Sequence, residues 1–278
     1  MNSLYIVSTP IGNLEDITLR AIRMLSEVRL IAAEDTRVTR RLLSRYDIHT
    51  PLTSYNDHNK LSKIPQLLKS LEIGDLALVS DAGTPVINDP GYELIRSAIQ
   101  HSIPVIPVPG VSSITTAIVL SEWEIGRFIY LGFLGRKRKE RKELLIEYES
   151  AQCTLICLES PHRLRDTLED ILHALGDRRL TVCREMTKLY EESFRGTVST
   201  ALSHFQNPKG EFTLLIHGNS AKTLPKVIEM DRAGKLIKEL KEKDHKAKDI
   251  IRLVQSETDL SRREIYKLII DQSPASES

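Results

Sequence analysis

The sequence predicts an α/β protein: two consecutive α/β domains followed by a small helical module. Three observations carry that expectation. The chain has 278 residues, more than a single core usually organises. Short β-branched runs alternate with helical patterns over most of its length, the mark of βαβ units and mostly parallel sheets. After "SAKTLP" the alternation stops and only helical periodicity remains.

In the first stretch, "LYIVS" (4–8), "RLIAAE" (29–34), "LALVS" (76–80) and "IPVIPV" (103–108) read as buried strands. Between them, 16–26 sets Ile17, Ala21, Met24 and Leu25 close to helical spacing, and 36–46 and 60–71 also suit helices. These elements give a first domain over 1–121. A second cycle, 122–222, runs through strand "FIYLGF", a helix over 140–149, strand "TLICLES", a helix from Pro161, strand "LTVCRE", a short helix and strand "FTLLIHG". In the tail, 223–278, Ala233, Leu236, Ile237 and Leu240 share one helix face, as do Ala247, Ile250, Ile251 and Val254. Ser261 with Glu264 forms a capping box for the last helix, and Leu260 staples against Ile265. The final "SPASES" is expected to fray.

Composition narrows the class of protein. With 41% hydrophobic and 28% charged residues the chain can bury a core, and 39 basic against 38 acidic residues leave a net charge of +1. Nucleic-acid affinity would therefore come from local patches, since no global field exists to supply it. The three cysteines, Cys153, Cys157 and Cys183, lack metal or disulfide-framework spacing and fit a reducing compartment. No signal sequence or membrane-length apolar run is recognisable, so a cytoplasmic location and no membrane partner are expected.

Ligands of open α/β sheets bind beyond the carboxyl ends of the strands. Three loops at such ends share one character: "STPIGN" (8–13), "SDAGTPVINDPG" (80–91) and "PVPGVSS" (107–113). Each combines Gly, Pro and small hydroxyl residues, which stiffen a turn while letting its backbone approach a ligand. Ser112 or Ser113 is placed to cap the following helix, and Asp89 before Pro90 to cap another. Asp81 and Asp89 lie eight residues apart with two prolines between, a poor metal loop, and no phosphate-loop or dinucleotide fingerprint occurs. No metal is expected. In "AAEDTRVTRRLLSR" (32–45), carboxylates Glu34 and Asp35 stand at a strand end, with Arg37, Arg40 and Arg41 beyond. Asp35 or Thr36 as an N-cap under a solvated basic face explains the segment as well as a substrate wall does. "GRKRKERK" (135–142) is the densest basic run, with Arg136, Lys137, Arg138 and Lys139 at its start, either a solvated loop or a grip on an RNA backbone. His58 in "SYNDHN" is a titratable group in a polar loop.

"TPIGNLEDIT", "AEDTRVTRRLL", "SDAGTPVINDPG", "PVPGVSS", "ESPHR", "REMTKLYEE" and "GEFTLLIHG", in this order over residues 9–218, resemble the tetrapyrrole-methylase superfamily, and within it the branch that acts on small-subunit ribosomal RNA. The tail "RREIYKL" is similar to that branch's C-terminal helices. The resemblance implies a homodimer that methylates a cytidine 2′-hydroxyl in the decoding region of 16S rRNA, with S-adenosylmethionine held between the two α/β domains. It implies cofactor contacts at Pro10, Asp81, Gly83, Thr84, Ile87, Ser112, Ser113, Glu159, Met186 and Phe212. Two positions depart from the branch: Gly135 stands where Pro is usual and Asn56 where His is frequent.

Such chemistry needs alignment above all, plus a group to take the hydroxyl proton. Asp35 and then His58 are the expected acceptors, with Arg37 on a phosphate and Arg40, Arg41 and residues 136–139 on the RNA backbone. Methylation of a tetrapyrrole precursor is the rival within the enzyme class, and the basic stretches argue against it. A second rival is a non-catalytic nucleic-acid binder using 247–269 as a helix-turn-helix. Binding of S-adenosylmethionine separates it from both enzymes.

Overall fold

The structure, a computed structural model, describes residues 2–219, 226–243, 245, 247–258 and 260–271. They fall into two compact units, Met1–Gly218 and Asn219–Ser278.

The first unit opens with five strands, β1 (Leu4–Val7), β2 (Leu30–Ala33), β3 (Leu52–Ser54), β4 (Leu76–Val79) and β5 (Val105–Val108). They form one parallel sheet in the order β3-β2-β4-β1-β5. Five helices accompany them: α1 (Leu19–Glu27), α2 (Thr36–Arg45), α3 (Lys60–Ile73), α4 (Tyr92–Gln100) and α5 (Ser113–Val119). Alternation along the strands explains why the runs are apolar throughout. Val7, Ile31, Ala33, Ala77 and Val79 pack on one face with Ala21, Leu25 and Leu42 of α1 and α2. Leu4, Ile6, Ala32, Leu76 and Leu78 pack on the other with Leu67, Leu71, Leu94 and Ala98 of α3 and α4. Each such Leu or Ile contributes about 1.5–3 kcal/mol by leaving water. The helix expected from residue 16 begins at Leu19, because Thr18 accepts the Ala21 N–H as N-cap while 14–16 form a 3₁₀ turn.

The second half holds β6 (Phe128–Phe133), α6 (Arg138–Glu147), β7 (Thr154–Glu159), α7 (Leu164–Leu175), β8 (Arg179–Arg184), β9 (Glu192–Thr197), α8 (Val198–His204) and β10 (Phe212–Ile216). Its sheet runs β6-β7-β10-β8-β9 and is mixed: only β6 and β7 are parallel. The expectation of a mostly parallel sheet fails here, because β10 inserts antiparallel between β7 and β8. Cys157 and Cys183 are buried in this half, and burial pushes both thiols up.

The second unit consists of α9 (Lys226–Glu242), α10 (Ala247–Glu257) and α11 (Arg262–Asp271). Ala233, Ile237, Ile250, Val254, Leu260 and Ile265 close a core of their own. The capping box is present: the Ser261 N–H donates to Glu264 Oε2 at 2.8 Å and the Glu264 N–H to Ser261 Oγ at 3.3 Å. The expected boundary at 222/223 and the frayed "SPASES" end lie outside the described residues. No helix is long and apolar enough to cross a membrane among the described residues.

Candidate functional site

The three turn-rich loops follow β4, β1 and β5, which are neighbours in the first sheet. Sequence order alone could not guarantee this adjacency, and the strand order supplies it. Thr9 and Gly83 pair across two of the loops, N–H to carbonyl in both directions at 2.8 and 3.0 Å. Ser8 Oγ and Thr84 Oγ1 lie 2.8 Å apart, and Thr9 Oγ1 donates to the Ser80 carbonyl at 3.1 Å. Gly83 sits at φ +75°, where a side chain is disfavoured. The same loop holds Val86 at φ 80° and Asn88 at φ 65°. For a β-branched residue that conformation costs roughly 1–3 kcal/mol and persists only where the surroundings impose it.

The second half meets these loops with the other wall. Because β10 runs antiparallel, Phe212 is registered against both Glu159, the last residue of β7, and Arg184, the last of β8. That register brings 158–161, Met186 and 211–213 to one edge. The two walls touch directly: the Asn13 N–H donates to Thr187 Oγ1 at 3.0 Å, and Asn88 Nδ2 donates to the Tyr130 hydroxyl.

Between them lies a cavity of about 490 Å³ lined by Ile11, Glu34, 81–84, 87–89, 112–114, Tyr130, Phe133, 158–161, Met186 and 211–213. Its size is that of a small-molecule site. Five carboxylate residues line it, Glu34, Asp81, Asp89, Glu159 and Glu211, and among the described residues no Lys, Arg or His does, although Arg163 reaches Glu159 at 3.3 Å and Lys188 reaches Glu211 at 2.8 Å from outside the lining. Glu159 is buried and spoken for: its carboxylate accepts from Thr167 Oγ1 at 2.6 Å and from the Ser160 N–H at 2.8 Å. Three others crowd one corner. Burial raises the Glu34 carboxyl above its usual value, and the charges of Asp89, Asp81 and Asp57 push the same way. Burial likewise raises Asp81, and it lifts Asp89 to about 6 with help from Asp81 and Asp57. Backbone amides stitch the corner together: the Asp81 N–H donates to Glu34 Oε2 at 3.2 Å and the Asp35 N–H to Asp81 Oδ1 at 2.9 Å. A positive charge is the ligand feature such a wall favours, since it offsets the burial that chiefly raises these groups and the repulsion between them.

Of the expected cofactor positions, Asp81, Gly83, Thr84, Ile87, Ser112, Ser113, Glu159, Met186 and Phe212 line the cavity. Pro10 does not; it is buried, and Ile11 takes its place at the wall. Ser112 occupies the N-cap position of α5, but its side chain makes no capping bond. Asp89 caps nothing, because Gly91 at φ 153° is the N-cap of α4.

Asp35 and His58 are not among the lining residues. Asp35 is the N-cap of α2 and is clasped by Arg37, Nη2 to Oδ2 at 2.7 Å, which holds its carboxyl down at about 2. Arg37 is otherwise exposed. His58 is exposed in the turn before α3, its N–H donating to Asn56 Oδ1. Arg40, Arg41 and Arg136 are exposed. The remaining cations of the basic run are engaged: Lys137 with Glu140 at 3.2 Å, Lys139 with Glu143 at 3.8 Å, and Arg138 with the buried Asp170 at 2.9 Å. Sequence reasoning passed over Tyr130, Phe133 and Glu211 on the wall, and over the perturbation of Glu34 and Asp89. The only signal for Glu34 was its place directly after an apolar strand. No group of three or more His, Cys, Asp or Glu positioned to hold a metal occurs among the described residues.

Residues 3–202 match the family model of Tetrapyrrole (Corrin/Porphyrin) Methylases. Relatives called ribosomal RNA small subunit methyltransferase I cover almost the whole chain. That of Halalkalibacterium halodurans is 44% identical over 96% of this chain and 94% of its own length, and that of Synechocystis sp. 43% over 98% of both. The Thermotoga maritima relative is 48% identical, with 99% of its length matched by 78% of this chain. Among solved structures, uroporphyrin III C-methyl transferase from Thermus thermophilus superposes with a TM-score of 0.59 at 17% identity, covering 80% of this chain and 100% of that one. A complex of that enzyme with S-adenyl homocysteine gives 0.58 at 18%, with the same coverage.

Proposed function

The chain belongs to the tetrapyrrole methylase family, and from that premise we propose that it transfers a methyl group from S-adenosylmethionine to the 2′-hydroxyl of a cytidine in the decoding region of 16S rRNA. The corner of Glu34, Asp81 and Asp89 carries this reading: three carboxylates raised by burial, with no cationic side chain among the described lining residues, fit a small cationic ligand and disfavour a phosphorylated one. Glu159 and Glu211, by contrast, are already paired with Arg163 and Lys188. The names of the relatives that span nearly the whole chain support an rRNA substrate, and they tell against a tetrapyrrole precursor.

When bound, S-adenosylmethionine supplies a methyl group already activated by the positive charge on its sulfur. The residues of the chain bind, orient and dehydrate. The paired backbones at Thr9 and Gly83, with Thr84, form a polar shelf. Ile11, Ile87, Met186 and Phe212 line an apolar surface that excludes water. Asp81 and Asp89 offer negative charge toward a cation. The proton acceptor is Glu34, in place of Asp35 or His58. It lines the cavity, its carboxyl is raised toward useful basicity, and with Oε2 accepting the Asp81 N–H its Oε1 takes the ribose proton. Asp35, held at about 2, is too weak a base for this role and braces Arg37 instead. Exposed Arg40, Arg41 and Arg136 meet the RNA backbone. The proposal keeps a cytoplasmic homodimer and domains over 1–121, 122–222 and 223–278.

Small subunits from cells lacking the gene, incubated with labelled cofactor and the purified protein, test this directly. Label at a cytidine 2′-oxygen is the expected result. Label on a base, or on a tetrapyrrole and not on RNA, overturns it.

A further inference from the structure

The second unit carries a surface of its own. At the starts of α10 and α11, Ala247, Lys248, Ile251, Arg262, Arg263 and Tyr266 surround an open groove of about 550 Å³. The spacing explains the convergence: 247, 248 and 251 share one side of α10, while 262, 263 and 266 share one side of α11. Ile251 is buried and forms an apolar floor; Tyr266 is more than half exposed beside it, 54%. Among the described residues, three cations and no carboxylate line the groove. The described ion pairs of this unit lie elsewhere, Arg232 with Glu257 and Lys235 with Asp231. Lys248, Arg262 and Arg263 pair with no described carboxylate, so their charge is available to a partner.

An exposed aromatic ring over an apolar floor, rimmed by cations that pair with no described carboxylate, is the chemistry that holds an unpaired base together with its phosphates. We propose that this groove is an RNA-docking site, with a base against Tyr266 and phosphates against Lys248, Arg262 and Arg263. The choice of RNA over another polyanion rests on the proposed function. The site is additional to the cavity, because none of its residues lines that cavity. The Thermotoga maritima relative is consistent with an accessory role: 78% of this chain accounts for 99% of it, and the first unit ends at residue 218 of 278.

The test uses the full chain, labelled unmodified 16S rRNA and a series of salt concentrations. Tyr266→Ala should weaken binding about tenfold through lost stacking, and Tyr266→Phe should retain it. Arg262→Ala with Arg263→Ala should lower the slope of log affinity against log salt by about 1.4, at roughly 0.7 per phosphate contact on a single strand. S-adenosylmethionine affinity and the thermal melt should not move, which separates docking from misfolding. RNA affinity and salt slope unchanged in both variants overturn the proposal, including the case where the groove captures an acidic peptide instead. Wild-type protein that binds rRNA through this groove but methylates none of it refutes the proposed function and leaves the docking site standing.

Discussion

Replacing Asp170 tests how the basic run is anchored. Asp170 is 0% exposed and Arg141 4%, with Nη2 of the arginine 2.6 Å from Oδ2 and its Nε at 2.8 Å. Arg138 reaches Oδ1 at 2.9 Å and Lys142 at 3.8 Å from the solvent side. Asp170→Ala leaves Arg141 buried with the Gly135 carbonyl at 3.4 Å as its remaining acceptor. An uncompensated buried charge of this kind costs about 3–5 kcal/mol. For a unit of this size each kcal/mol moves the melting midpoint by roughly 2–4 °C, so a fall of about 6–20 °C is expected. Circular dichroism melts of the full chain measure it. The double variant Asp170→Leu with Arg141→Met removes both charges and should recover most of the loss, because the expense lies in isolating one partner. A single variant that melts within about 2 °C of wild type, or a double variant no better than the single, refutes the reasoning.

At saturating RNA and cofactor, Glu34→Gln should lower turnover by about 100-fold, the lower end of what a positioned base contributes; turnover within threefold of wild type returns the role to another group. Cofactor affinity, followed by calorimetry, should rise as pH climbs through about 6, where Asp89 ionises, and Asp89→Asn should flatten that rise. The same group opposes folding: its carboxyl is raised from 3.8 to about 6, so the unfolded chain releases the proton first and stability falls as pH rises between those values. Asp89→Asn should therefore raise the apoprotein melt at pH 8 and leave it unchanged at pH 3. Gly83→Ala sets its new carbon in ordinary contact with Ile11 Cγ2 at 3.6 Å and is penalised only for φ +75°, about 1 kcal/mol in a melt. Gly132→Ala has φ +64° and sets its new carbon 2.5 Å from Asn88 Oδ1, so it should lose clearly more and loosen the contact between the walls.

The parallel sheet was legible because its strands are buried on both faces and so read as unbroken apolar runs. β3 and β9 were not, since both are edge strands with few buried residues and no alternation to detect. Loop chemistry pointed to the sheet edge where the cavity lies: Gly83, Thr84 and Ser112 mark turns and a helix start by residue type, and the strand order brings them together at its wall. What the sequence did not reveal is what depends on distance across the fold. Nothing local tells that Arg138 and Arg141 meet Asp170 some thirty residues on, or that Arg37 folds back on Asp35 while Glu34, one residue earlier, faces the cavity. Two adjacent carboxylates thus end with opposite perturbations, one depressed by a guanidinium and one raised by burial.

A net charge of +1 conceals a sorting of charge by place. Carboxylates collect in the cavity, and cations that pair with no described carboxylate collect at Arg40, Arg41 and Arg136 and again in the groove of the second unit. The proposed function accounts for this separation: a transferase joining a cationic donor to a polyanionic acceptor is served by it, because a mixed surface would let the acceptor's phosphates invade the donor's cavity. The ion pairs inside the basic run serve the same end. By engaging Lys137, Arg138 and Lys139 with Glu140, Asp170 and Glu143, they lower the positive charge that the run presents, which on the proposed reading leaves RNA contact to Arg40, Arg41 and Arg136.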